Sequence, residues 1–169
     1  MFAATGDKAR VAASSLAMLP GLFVLAAALA EPALAQQKET QPFEVSIQAI
    51  RATKAHTKVS PELRQIASEL KKRFSYTGFT LEAEKSGQAT KEKAYSADLV
   101  AGFKAKVTPL ERSGERVTLK VEILQREGKT DKRLLSTTVT INRGKSYLQG
   151  GWRIDSKSAD VLIVAVSAR

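Results

Sequence analysis

Two short strings carry the residue types of serine acyl-enzyme chemistry. Ser68-Glu69-Leu70-Lys71 places a lysine three residues after a serine, and Lys85-Ser86-Gly87 matches the K-[ST]-G pattern. The third element of that machinery, S-D-N, is missing. Ser68 also falls on the wet side of an expected helix, where Lys71 belongs to a basic last turn. Gly144-Lys145-Ser146 looks like the end of a phosphate-cradling loop, but the position of its first glycine is held by Val139, inside an expected strand. The single histidine, His56, precedes the helix, and there is no cysteine. His/Cys metal sites are therefore not expected, and a triad would have to rest on His56 alone. Glu82 with Glu84, and Asp155 with Asp160, read as ordinary surface charge, without the acid/base asymmetry that glycoside cleavage needs. These residues point away from an enzyme and imply no cofactor and no metal.

Charge is the stronger signal. The chain holds 27 Lys and Arg against 17 Asp and Glu, a formal net charge of +10. Lys104 and Lys106 share the strand face opposite Phe103, Ala105 and Val107, and Lys120 stands between Thr118 and Glu122 on the next outer face. Arg143, Lys145 and Arg153 lie at turns or strand ends. Together these six are the candidate contacts for an anionic partner, such as an acidic polymer or lipid. Nucleic acid is not expected, because Phe43, Phe74, Phe79 and Phe103 fall on core stripes and leave no stacking platform. The bland counterpart is a solvated cationic surface whose lysines blunt sheet edges.

The elements that must position these residues are mostly strands. Phe43, Val45, Ile47 and Ala49 alternate with polar residues in "FEVSIQAIRAT", 43–53, which predicts a half-buried strand. Ser60 and Pro61 form a helix start, and Leu63, Ile66, Ala67, Leu70 and Phe74 make one apolar stripe behind it. After Gly78 the period is two. "FTLEAE" is an expected strand, "KSGQATKEK" a loop, and "AYSADLV" a short strand. A meander follows, with turns at Ser113-Gly114, Glu127-Gly128-Lys129, Asn142-Arg143-Gly144 and Asp155–Ser158. Val161 to Val166 is apolar on both faces and predicts a central, doubly covered strand. The expected fold is α+β: an antiparallel β-meander of about 6–8 strands, sandwich-like, with one amphipathic helix packed on one face.

The N-terminus reads as an export signal. Lys8 and Arg10 precede an apolar run from Leu16 to Ala30, and Ala33-Leu34-Ala35 is an A-x-A cleavage site. The expected organisation is a signal peptide over 1–35, a disordered linker over 36–42 and a single domain over 43–169. Losing the signal leaves the charge at +10, because Lys8 and Arg10 offset Asp7 and Glu31. Without cysteine, the exported domain must be held by packing and sheet hydrogen bonds rather than disulfides.

Two resemblances arise from these motifs. The whole pattern, from "SPELRQIASELKKRFSYTGFTL" to "RGKSYLQGGWRID" and "DVLIVAVSA", resembles a loose group of uncharacterised short exported proteins of Gram-negative bacteria. Locally, Pro109, Val117, Leu119, Val121, Thr137, Thr138, Val139, Gly144, Gly150 and Gly151 resemble part of the conserved domain of bacterial secretins, the outer-membrane pore proteins of secretion systems and type IV pili. The ring-forming domains of that family are missing, so the resemblance implies an envelope accessory or adaptor rather than a pore subunit.

The expected function is a non-catalytic binding, adaptor or scaffold domain, periplasmic, at the outer membrane or extracellular. It would meet an envelope complex or an anionic polymer or lipid; the oligomeric state is left open. The alternative is a small-molecule or lipid module with an apolar pocket of ~300 Å³ or more between helix and sheet. Gly144, Gly150, Gly151 and Trp152 read as structural. In "SYLQGGWRID" the tandem glycines predict a bulge or bend. An unbroken strand would put Trp152 on one face with Leu148 and Ile154, where truncation to alanine would cost ~3 kcal/mol or more if the ring is buried.

Overall fold

The computed structural model describes residues 42–169. The expected signal peptide, and the expected linker except Pro42, lie outside the described residues. Eight strands follow in order: β1 Phe43–Thr53, β2 Gly78–Ala89, β3 Tyr95–Asp98, β4 Phe103–Ser113, β5 Arg116–Glu127, β6 Thr130–Asn142, β7 Ser146–Arg153 and β8 Val161–Ala168. They form two four-stranded antiparallel sheets. Sheet 1 has the order β2-β1-β8-β7 and sheet 2 the order β3-β4-β5-β6.

The domain is therefore mostly β and sandwich-like; the eight antiparallel strands fit the expected number, but they do not form one continuous meander. The meander does run from β3 to β6, because glycines with positive φ make its tight turns, at Gly114 and Gly128. It breaks at β7, which pairs with β8 instead, and β8 pairs in turn with β1. Turn residues report only which consecutive strands are joined. The pairing of the first strand with the last is a long-range choice made by burial.

That burial follows strand parity. Val45, Ile47 and Ala49 of β1 and Leu162, Val164 and Val166 of β8 lie in one buried cluster with Phe103, Ala105 and Val107 of β4 and Val117, Leu119, Val121 and Ile123 of β5. The alternate residues Ile50 and Ala52, with Val161, Ile163 and Ala165, belong to a second cluster together with Phe79, Leu148, Leu63 and Leu70. The expectation of a central strand apolar on both faces holds for β8, which has a neighbour on each side and a cluster on each face.

The helix is shorter than the apolar stripe implied. One 3-10 turn, Pro61–Leu63, is followed by α1, Ala67–Arg73. Ser60 does not cap it. Its Oγ accepts the backbone N–H of Leu81 at 3.0 Å, and its own N–H donates to Phe79 O at 2.9 Å. With that hydroxyl tied to β2, the chain turns once more before α1 begins, and Ile66 stands at the cap position without a side-chain bond. Leu63 and Leu70 are still fully buried, while Ile66 and Phe74 are half-buried against the same cluster.

β2 is longer than its alternation implied, running to Ala89 opposite Phe43. Lys85, Ser86 and Gln88 are exposed on an edge strand, which is why the stretch reads as a loop. Gly87 lies under the ring of Tyr95, whose hydroxyl donates to Ser86 O at 2.9 Å. Tyr95 thereby closes the side of the sandwich where β2 and β3 run.

The tandem glycines form a bulge. The β7–β8 register shifts between Gly150 and Trp152. Leu148 consequently points into the second cluster, whereas Trp152 and Ile154 pack against the first. The Trp152 ring lies 6.3 Å from that of Phe103, tilted by 40°, and is half-exposed. Trp152→Ala is therefore expected to cost about 1–2 kcal/mol in a urea melt, below the ~3–5 kcal/mol of a fully buried tryptophan.

Candidate functional site

The residues of the catalytic-looking strings are dispersed. Ser68 and Lys71 are exposed on α1, and Lys85 and Ser86 are exposed on β2. His56 is exposed, and its Nδ1 accepts the backbone N–H of Lys58 at 3.2 Å. Gly144-Lys145-Ser146 spans the β6–β7 turn, where Gly144 has φ 72°. Glu82 holds Arg51 at 2.6 Å, and Asp160 reaches the same guanidinium at 3.4 Å. Asp155 accepts the backbone N–H groups of Ser158 and Lys157, each at 2.7 Å, which holds its carboxyl below the usual carboxylate range. No group of three or more His, Cys, Asp or Glu residues able to hold a metal ion occurs among the described residues.

Lys104, Lys106 and Lys120 do come together. All three lie on the face of sheet 2 that points away from the first cluster. The register sets Lys106 opposite Glu122 and Lys120 opposite Thr138. Glu122 is the organising residue. Its residue exposure is only 6%. Arg133 Nε lies 3.4 Å from it, Lys120 Nζ 3.7 Å and Lys106 Nζ 4.0 Å. Three cations, one from each of β4, β5 and β6, thus converge on one carboxylate, and each keeps a partly exposed side chain. The group carries excess positive charge on a flat surface.

Lys104 belongs to a different pairing. Its ammonium donates to Asp131 Oδ2 at 3.1 Å and reaches Asp98 at 3.4 Å. The hydrogen bond to Asp131 raises the lysine above its ordinary pKa. The same bond, with a second from Arg126 at 3.3 Å, holds Asp131 below the usual carboxylate range. Lys104 is therefore neutralised locally, while Lys106 and Lys120 share a single carboxylate. Arg143, Lys145 and Arg153 are exposed, but at the β6–β7 turn and the end of β7 rather than on this face. Sequence alternation placed the lysines on one face. Arg133 reaches this face because its neighbour Leu134 is the extra residue of a register shift opposite Ile123 and Leu124.

Two hollows lie on the surface of the described residues. One of about 240 Å³ lies between the helical segment and sheet 1, bordered by Gln65, Glu84, Gln48 and a cross-strand row of Ser46, Ser167 and Ser146. It is smaller and more polar than a lipid pocket at that place would have to be. The other, about 460 Å³, is a shallow groove between Leu134 and the Trp152–Ile154 segment.

No protein-family model matches the chain. No curated protein matches it either. Among solved structures it is similar to the T2SS secretin XcpQ from Pseudomonas aeruginosa, at 10% identity and a TM-score of 0.28. The similarity covers 75% of this chain and 56% of that one. The match is a weak one and carries no argument for function. No helix among the described residues is long and apolar enough to cross a membrane.

Proposed function

We propose that this chain is a non-catalytic binding domain of the bacterial envelope that meets an anionic partner through the outer face of sheet 2. The reading rests on one observation above all: Lys106, Lys120 and Arg133 are gathered around the single Glu122 carboxylate. A pairing made only for stability would balance these charges. Here the surplus faces solvent, where it can meet phosphate or carboxylate groups on a surface. Export is supported by the basic, apolar and A-x-A segments of residues 1–35. In this reading the helical segment is a fixed cover over the far side of sheet 1, leaving sheet 2 as the working face.

The test is retention on vesicles of phosphatidylglycerol and phosphatidylcholine against phosphatidylcholine alone, over a salt series. A basic residue near an anionic membrane is worth about 1 kcal/mol, so Lys106→Gln and Lys120→Gln should each lower affinity about fivefold. Lys104→Gln should matter less, because Asp131 and Asp98 already hold that charge. Glu122→Gln should raise affinity by releasing all three cations. Retention indifferent to salt, or lowered by Glu122→Gln with the fold intact, would overturn the reading.

A further inference from the structure

The two sides of the sandwich are finished differently. On the side of β2 and β3, Tyr95 spans the sheets and bonds Ser86 O. On the side of β6 and β7, apolar residues from both edges are left half-buried: Leu135, Val139 and Ile141 from β6, Tyr147 and Trp152 from β7, and Ile154 just after it. The groove of about 460 Å³ runs along this side.

The four sheet edges also differ in protection. β3 is only 4 residues long. β2 carries Glu82, Glu84 and Lys85 and a register shift. β7 is broken by the Gly150 bulge. These are the devices by which edges avoid pairing with other strands. β6 lacks them over Leu135–Asn142, beyond the register shift at Leu134, a stretch with no charge, no proline and no glycine. The backbone groups of β6 that have no strand partner among the described residues can be placed. Arg143 N–H donates to Glu115 O at 2.8 Å, and pairing alternates along an antiparallel ladder, so Ser136, Thr138 and Thr140 direct their N–H and C=O groups away from β5.

We infer that the β6 edge over Leu135–Asn142 is a docking site for an extended peptide strand with alternating apolar residues and acidic residues at both ends. The added strand pairs with the outward groups of Ser136, Thr138 and Thr140. Its apolar side chains cover Val139, Leu135 and the Trp152 groove. Charge selects the occupant. The uncharged run is bounded by Lys132 and Arg133 at one end and by Arg143 and Lys145 at the other. A second copy of β6 paired antiparallel about Thr138 would set Arg133 opposite Arg143, and a parallel copy would set each arginine beside its own equivalent. Both arrangements are repulsive, whereas acidic flanks are attracted at both ends.

This inference goes beyond the sheet-face reading; Arg133 takes part in both, so the two are separated through Arg143 and Lys145, which lie outside the Glu122 group. The chain contains one tryptophan, and it lines the groove, so intrinsic fluorescence reports occupancy directly. The probe is a synthetic peptide of alternating valine and threonine with two aspartates at each end, titrated into the full chain. Saturable change is expected, with affinity at least tenfold lower for the same peptide flanked by lysines. Arg143→Glu with Lys145→Glu should reduce binding of the aspartate peptide by a similar factor. Thr138→Pro removes an outward N–H without removing a ladder bond and should abolish binding; Thr140→Pro is the second edge-blocking variant should the first unfold by circular dichroism. Equal affinity for both peptides, no response to the aspartate peptide, or binding that survives a folded proline variant would overturn the inference. So would a concentration-dependent dimer in sedimentation that the proline variant abolishes, since the occupant would then be a second copy.

Discussion

Gly150→Ala should lower the unfolding free energy by about 3 kcal/mol or more, read as a fall in the urea midpoint with an unchanged slope. A Cβ at this position would stand 2.6 Å from Ile163 Cα and 2.6 Å from Leu162 O. Both are backbone atoms of β8, which is clamped between β1 and β7 and cannot retreat without breaking ladders on two sides. Gly151 is the internal control. It has φ +108° but open space where its Cβ would go, so Gly151→Ala carries only backbone strain, about 1–3 kcal/mol. Gly150→Ala should be the more damaging of the two. The reverse order would mean that backbone conformation, not close approach to β8, explains the glycine pair.

Phe79→Ala should cost about 3–5 kcal/mol, a large share of the ~5–15 kcal/mol that holds a domain together. Phe79 is fully buried and belongs to the cluster that contains Leu63, Leu70, Ala52 and Val161. Its backbone is equally committed. It pairs with Ala52 of β1, donates N–H to Lys58 O at 2.9 Å and accepts from Ser60 N–H at 2.9 Å. Nothing nearby can collapse into the space without moving β1 or the segment that leads into the helix. The same truncation at half-buried Phe74 should cost clearly less. Equal losses at the two positions, measured by urea denaturation, would show that the second cluster does not discriminate between them.

Much of the strand pattern was legible because burial in a sandwich alternates locally. β1 could be bounded to the residue, and β8 read as central, from their own side chains alone. What was not legible depended on partners far away in sequence. The helix was overestimated because Ser60 and Pro61 form a good start, and only the bond from Leu81 shows that the hydroxyl is already occupied. β2 was cut short because an exposed edge strand loses the apolar signal on both faces. The face of Trp152 hung on a bulge whose presence the glycines suggested but whose effect on parity only the register reveals. At the candidate site, Lys106 and Lys120 were found by alternation. Glu122 was not recognised as their centre, because two of its three cations come from other strands.

The pairing of β1 with β8 also bears on when this chain can fold. Val45 faces Ala168 in the ladder, and Glu44 and Arg169 exchange backbone hydrogen bonds at 3.2 and 2.9 Å. Contacts of such high sequence separation close late and slowly, because nearly all of the described residues form the loop between them. The hairpins of sheet 2 can assemble early, but sheet 1 has no middle until its last strand arrives. The sandwich therefore closes only once β8 has reached β1.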